Sequence, residues 1–321
     1  MSKNYRNWHS KKTVKMQLGK VTIDVPRDRN GKYEPSIISK YSRNADGMKE
    51  KFLSLYSCGI SQRDILEQIK NLYDVEISPK LVSKISEKIM SEVTAWQNRP
   101  LGSVYPFVFM DGIHYKVKKN HHYVTKAAYV VLGINMDGCK DILSIWIGEH
   151  ESDKFWLNVL NDLKNRGVQT VYVFCVDGLT GFREAIGSVY PKAQIQRCII
   201  HQIRSSTKFV SYKDIKKLMS DLKTVYQAIN EEEAFNNLMK FKENWGKTYP
   251  SCVKSREENW DILSTFFAYP AQVRRIIYTT NIIEGLNRQF RSITKTKPSF
   301  VNDYSLRKML YLASKQILYH Q

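Results

Sequence analysis

Two apolar runs, at residues 105–110 (YPFVFM) and 171–176 (VYVFCV), are each followed at once by Asp-Gly. Such runs lack the polar alternation of a half-exposed strand. They read as strands buried on both faces, which demands helices on both sides of a sheet and so an α/β fold. Residues 127–134 and 142–147 are two further strand candidates, joined by a turn at Asp137-Gly138. A helix is predicted over 153–165, where Phe155, Trp156, Val159, Leu160 and Leu163 form a wide apolar face and Gly167 ends the run.

The predicted order is strand, strand, strand, helix, strand, helix, strand. Hairpins can join the first three, and the helix returns the chain for a parallel strand; an RNase H-like mixed sheet is wound in this way. If the first and fourth strands are parallel neighbours, Asp111 and Asp177 lie side by side at their carboxyl ends, the edge where open α/β sheets bind ligands. Two adjacent carboxylates repel unless a cation separates them. Mg²⁺ suits such a site, being a hard ion held by one or two carboxylates with water and phosphate completing its shell. The plainer alternative for each Asp-Gly is a turn. A third carboxylate stands in a helix predicted over 281–291, capped by Thr280 or Asn281 and buried through Ile283, Leu286 and Phe290. Glu284, Asn287, Arg288 and Arg291 recur along another face, which would set a metal ligand beside Asn287, Arg288 and Arg291 as DNA contacts, the two guanidinium groups gripping phosphates. The alternative there is a Glu–Arg pair on a solvated face.

Charge indicates the partner. The 321 residues carry 50 Lys+Arg against 31 Asp+Glu, a net +19. An excess of this size attracts polyanions, and nucleic acid is the usual one. Residues 1–51 hold 13 Lys/Arg against 5 Asp/Glu and read as an extended or β-ribbon arm that contacts phosphates. A capped helix over 62–73 and a second over 78–91, with Pro79 at its first position, suggest a helix-turn-helix. Lys80, Lys84 and Lys88 line the second helix opposite Leu81, Ile85 and Ile89; an ordinary helical hairpin is the alternative. Residues 92–101 read as a linker. Five scattered cysteines without a CxxC spacing argue against a disulfide framework and for a reducing, cytoplasmic setting. No apolar run approaches the roughly 20 residues of a membrane span, and the basic start lacks the apolar stretch of a secretory signal.

Several stretches carry a family resemblance: KFWLNVLNDLKNRGV (154–168), VDGLTGFREAI (176–186), YPKAQIQRCIIHQIR (190–204), DLKTVYQAINEEEAF (221–235) and FAYPAQVRRIIYTTNIIEGLNRQFR (267–291). With the N-terminal part, they resemble bacterial insertion-sequence transposases of the Mutator type, in the DDE/RNase H-like superfamily, over nearly the whole chain. The resemblance implies a catalytic, metal-binding triad of Asp111, Asp177 and Glu284. It implies cleavage and strand transfer at element ends with two Mg²⁺ ions, for which Mn²⁺ can substitute. The partners would be double-stranded DNA, as terminal inverted repeats and target, and further copies of the chain. It also draws attention to Cys198 and His201, expected to shape the active site; zinc is disfavoured because no second pair stands at ligand spacing. The chain starts and stops inside the usual family limits, so a shortened, non-catalytic DNA-binding regulator of transposition is the alternative.

Between Asp177 and Glu284 lie 106 residues, more than a bare RNase H-like core needs. The excess is read as an α-helical insertion over 211–278, with helices at 214–229, 231–245 and 257–267. Trp245 and Trp260 are expected in its core, with base stacking as the alternative for either. The predicted organisation is an arm (1–58), helix-turn-helix and linker (59–101), first part of the core (102–210), insertion (211–278) and final core helices (279–321).

Overall fold

The computed structural model describes residues 6–16, 19–30, 64–67, 79–149, 152–178, 181–278, 281–295, 297 and 299–319. They form two compact units: residues 99–114 with 126–287, and residues 1–98 with 115–125 and 288–321. Among the described residues no helix is long and apolar enough to cross a membrane.

The chain builds a five-stranded mixed sheet, most of it in the larger unit. Its strands are β3 (Val104–Lys119), β4 (His122–Ile134), β5 (Lys140–Gly148), β6 (Thr170–Val176) and β7 (Gln194–Arg197), in the order β5-β4-β3-β6-β7. β4 and β5 are antiparallel, whereas β6 runs parallel to both β3 and β7. Helices α2 (Asp153–Asn165) and α3 (Phe182–Val189) cover one face. Ser152 caps α2 by accepting from the Phe155 amide at 3.2 Å. Trp156, fully buried on α2, meets Tyr129, Phe155 and Phe182 with ring centroids 4.9, 5.0 and 4.6 Å away. Burying a side chain of this kind contributes about 1.5–3 kcal/mol, so this aromatic knot anchors both helices to the sheet.

The first aspartate does not end its strand, contrary to the Asp-Gly expectation. β3 pairs with β6 from Val104↔Thr170 to Met110↔Val176, and there β6 stops. β3 continues to Lys119, with Ile113, Tyr115 and Val117 buried and His114, Lys116 and Lys118 exposed. Its other neighbour, β4, is reached through a two-residue turn at Asn120 and His121, with φ of 48° and 67°. Positive φ at both positions is the turn geometry that suits strand twist. Asp111 therefore lies where one partner ends and the other persists.

Beyond β7 come α4 (Ile199–Thr207) and the helical segment expected from the sequence: α5 (Tyr212–Tyr226), α6 (Glu231–Trp245), α7 (Pro250–Glu257), α8 (Trp260–Leu263) and α9 (Ala271–Ile277). The bounds of α6 match the prediction, because Asn230 caps it by accepting from the Glu233 amide at 2.8 Å. The single helix expected over 257–267 is broken into α8 and a 3₁₀ turn, Thr265–Ala268. The cause is Gln196 on β7, whose buried amide donates to the Leu263 carbonyl at 3.2 Å and accepts from the Phe266 amide at 2.7 Å. Those groups are then lost to a continuous helix. Arg256, also buried, donates to Tyr226 Oη (3.0 Å), Ser206 Oγ (2.9 Å) and the Cys252 carbonyl (2.6 Å), tying α4, α5 and α7 together.

In the other unit, β1 (Arg6–Met16) and β2 (Gly19–Asp28) form the predicted ribbon, antiparallel from Arg6↔Asp28 to Met16↔Gly19. Helix α1 (Pro79–Gln97) runs past its expected end at 91. Nothing in residues 92–97 breaks a helix; the breakers start at Asn98 and Pro100, so the predicted linker is shorter than expected. Of the first helix expected at 62–73 only a helical turn at 64–67 is described; the rest, with the connection to α1, lies outside the described residues, as do the side chains of Lys80 and Lys84. Helix α10 (Asn281–Thr294) begins in the larger unit, and α11 (Asp303–Tyr319) meets α1 through Trp96 and Tyr311 (5.6 Å) and through Glu92 and Lys315 (3.4 Å).

Candidate active site

Met110 and Val176 are the last paired residues of two adjacent parallel strands, so Asp111 and Asp177 follow on neighbouring chains at the same edge, on strands about 4.8 Å apart. Each carboxylate accepts the next residue's amide at 2.8 Å, Gly112 for Asp111 and Gly178 for Asp177. The Arg197 guanidinium packs against Gly178, where a β-carbon would otherwise stand. The second oxygen of Asp111 accepts from Asn287 Nδ2 at 2.6 Å. Burial raises the Asp111 pKa above the usual carboxylate range; the Gly112 amide and His201 oppose this, and the Asp177 charge adds to it.

Glu284 lies on the first turn of α10, one turn before Asn287. Its carboxylate is gripped by Arg204 of α4, Nη1 to Oε1 at 3.1 Å and Nη2 to Oε2 at 3.5 Å. His201, also on α4, stands between the acids, with Nδ1 3.5 Å from Asp177 Oδ1 and Nε2 3.6 Å from Glu284 Oε1. Cys198 caps α4, its sulfur accepting from the His201 amide at 3.5 Å. A hydrogen bond with that sulfur raises the His201 pKa to about 9 against the effect of burial, and Asp177, Cys198 and Asp111 add to the rise. The ring is thus an imidazolium at neutral pH, neutralising the edge where acids gather.

The structure brings Asp111, Asp177, Glu284, Cys198 and His201 to one end of the sheet. Asn287 belongs there too, but not as the DNA contact expected from its helical spacing. It is completely buried, its amide is committed to Asp111, and its Oδ1 has no hydrogen-bond partner among the described residues. Arg288 and Arg291, further along α10, are exposed. Lys88 is half-buried on α1. Trp245 is buried, with its indole N–H bonded to Asp221 at 2.8 Å, which conflicts with base stacking; Trp260 is half-buried against Phe235, ring centroids 5.6 Å apart. Arg204 was not foreseen. Its one signal is the three-residue step from His201, which puts both on one face of α4.

The donors at the strand ends are all oxygen, and two carboxylates stand there on neighbouring parallel strands. Both features fit a hard divalent cation. As placed, no three His, Cys, Asp or Glu among the described residues are grouped to hold a metal ion. In this arrangement the Glu284 carboxylate is paired with Arg204.

The fold and its edge define an α/β protein with a five-stranded mixed sheet and acids at the carboxyl ends of two parallel strands, and comparison with known proteins gives its family. The sequence matches the family described as "Transposase, Mutator family" over residues 1–320. It is 43% identical over 310 residues to the transposase for insertion sequence element ISRM3 of Rhizobium meliloti (strain 1021), covering 96% of this chain and 78% of that protein. A probable insertion-sequence transposase of Corynebacterium diphtheriae is 38% identical over 289 residues, covering 90% of this chain and 84% of that one. The chain belongs to the Mutator family of transposases. A solved Drosophila P element transposase strand transfer complex aligns with a TM-score of 0.42 at 9% identity, over 84% of this chain and 92% of that one; nothing is built on so distant a likeness.

Proposed function

We propose that this DNA transposase cuts and joins DNA at insertion-sequence ends by Mg²⁺-dependent phosphoryl transfer, with Asp111, Asp177 and Glu284 as its metal ligands. The observation that carries this reading is the β3–β6 register, which ends both strands' pairing one residue before an aspartate. The strand order, an antiparallel β4–β5 pair on one side and parallel strands on the other, supports an RNase H-like winding. When bound, Mg²⁺ supplies Lewis-acid stabilisation of the charge on the phosphate oxygens.

The chain's own residues position and neutralise. Asn287 and Gly112 hold the two oxygens of Asp111, and His201 holds Asp177 and Glu284 apart until substrate arrives. Arg288 and Arg291, exposed on α10, grip phosphates. In the first step a water oxygen bonds to the scissile phosphorus and the P–O3′ bond breaks, freeing a 3′-OH. In the second, that oxygen attacks a target phosphorus in line and displaces the target's own 3′ oxygen. The basic ribbon β1–β2 and helix α1, read as part of a helix-turn-helix, supply binding to terminal repeats and target in the cytoplasm, with further copies of the chain on the same DNA.

The test is strand transfer and gel shift with Asp177→Ala, using labelled terminal DNA with Mg²⁺ or Mn²⁺. The expected result is loss of nicking and joining with DNA affinity within about threefold of the parent; joining at the parental level would refute the assignment. Protection without nicking by the parent chain would identify a DNA-binding regulator instead.

A further inference from the structure

Helix α4, which carries His201 and Arg204, ends in a short connection to α5 that holds two large aromatic side chains in solvent. Phe209 is 75% exposed and Tyr212 92% exposed. Apolar side chains normally fold back onto the protein, and here the backbone prevents it. Val210 between them is buried as an anchor. The Phe209 and Val210 amides close the end of α4 onto Ser206 (3.3 Å) and Thr207 (3.2 Å). The Ser211 amide donates to Tyr249 Oη at 3.2 Å, and that hydroxyl donates to Asp214 at 2.7 Å. The connection is therefore pinned from both sides, and the cost of ordering the two rings is met by the fold.

The surroundings are basic. Lys208, Lys213 and Lys216 are exposed on the same stretch, and Asp214 is turned to Tyr249. Exposed aromatic rings among lysines suit one chemistry above others: unpaired bases stacked on rings, with their phosphates met by ammonium groups. A second copy of the chain is the less suitable occupant, since two such patches on chains of net charge +19 repel.

We propose that Phe209 and Tyr212 form a stacking platform for unpaired bases at the DNA end, with Lys208, Lys213 and Lys216 on the flanking phosphates. The role rests on the cleavage site lying at the acidic edge. Phe209 is eight residues beyond His201, about 12 Å along a helix axis. That is roughly three to four base steps at 3.4 Å each. The platform would thus hold a short frayed tail next to the scissile phosphate and keep it from re-pairing.

Binding is measured with the full chain in EDTA, so the outcome is independent of whether the acids catalyse. The probes are a duplex with a four-nucleotide tail carrying 2-aminopurine and the blunt duplex of the same sequence. The parent should bind the tailed probe more tightly, with a change in 2-aminopurine fluorescence. The Phe209→Ala/Tyr212→Ala pair should lose that fluorescence change and about 5- to 150-fold of tailed-probe affinity, the range for one lost base stack. Blunt-duplex binding and the melting temperature should stay at parental values, and Phe209→Trp/Tyr212→Trp should keep the tail preference. Parental tail binding by the alanine pair would overturn the proposal. So would dispersal of a DNA-free oligomer by that pair with probe binding intact, which would assign the rings to a second copy of the chain.

Discussion

The two halves of the acidic edge are built on different principles. The strand half, Asp111 and Asp177, is set by main-chain register. Each carboxylate is tied to its own following amide, and Asp111 is locked further by buried Asn287. The helix half, Glu284, is set by side chains 80 or more positions away in sequence, or nearly so, and Arg204, its main partner, is 59% exposed. A register cannot shift without moving every side chain of the strand. An ion pair with one partner in solvent exchanges contacts more readily than a strand register shifts, although the Glu284 side chain itself is only 17% exposed. The strand half is thus preorganised and the helix half adjustable, and on the proposed reading a cation would complete the set through Glu284.

The largest effect expected from breaking this contrast is at Asp111. Asp111→Asn should lower strand transfer by about a thousandfold or more, since a preorganised charged group of this kind contributes some 10²–10³ and two steps depend on it. The same variant should be more stable without metal. A carboxyl whose pKa is raised on folding is charged at a penalty above that pKa, so the neutral amide removes a penalty present at neutral pH. An amide flip of Asn287 keeps the hydrogen bond between the two side chains, with Oδ1 accepting from the new amide. Scanning calorimetry in EDTA should show a gain of about 0.5–2 kcal/mol, and Mg²⁺ should stabilise the parent but not the variant. A fall in melting temperature would show that the strand half is not strained by its charge.

A smaller effect is expected at Asn287. Its truncation to Ala leaves both aspartates present but frees one oxygen of Asp111, and the loss in strand transfer should be about 10- to 100-fold, as for residues that orient metal ligands. DNA affinity should not change, because the side chain is buried; a weakened gel shift would return Asn287 to the DNA-contacting set. The smallest effect is at Arg204. Arg204→Ala should lower the Mg²⁺ concentration at half-maximal activity by about 2- to 5-fold, matching the exposed pair it removes. Manganese binding followed by electron paramagnetic resonance without DNA should tighten equally. A raised requirement would mean that Arg204 presents Glu284 to the ion instead of withholding it.

The same contrast explains what could be read from the sequence. The strand half was legible, because buried strands write themselves as unbroken apolar runs and the acids stand at their ends. What misled was Asp111-Gly112, since local residues cannot tell a turn from a point where only one neighbouring strand stops. Helix α6 was legible from Asn230 and its apolar stripe, a local matter. The break between α8 and the 3₁₀ turn was not, because Gln196, some 70 residues earlier, causes it. Arg204 and the inward turn of Asn287 escaped for the same reason: helical spacing assigns a residue to a face, and only tertiary packing says what that face meets.

Gln196 has a further consequence. β7 is four residues long and lies at the border of the sheet, where a strand normally offers free backbone groups to any passing chain. Its side chain fastens that border to the turn between Leu263 and Phe266, while Thr265 Oγ1 donates to the Ile195 carbonyl at 2.7 Å. The helical segment between the second and third acids therefore doubles as a selvedge for the sheet. Evolution could lengthen or decorate it at its tips, but cutting it out would leave a raw margin prone to sticking to its own kind.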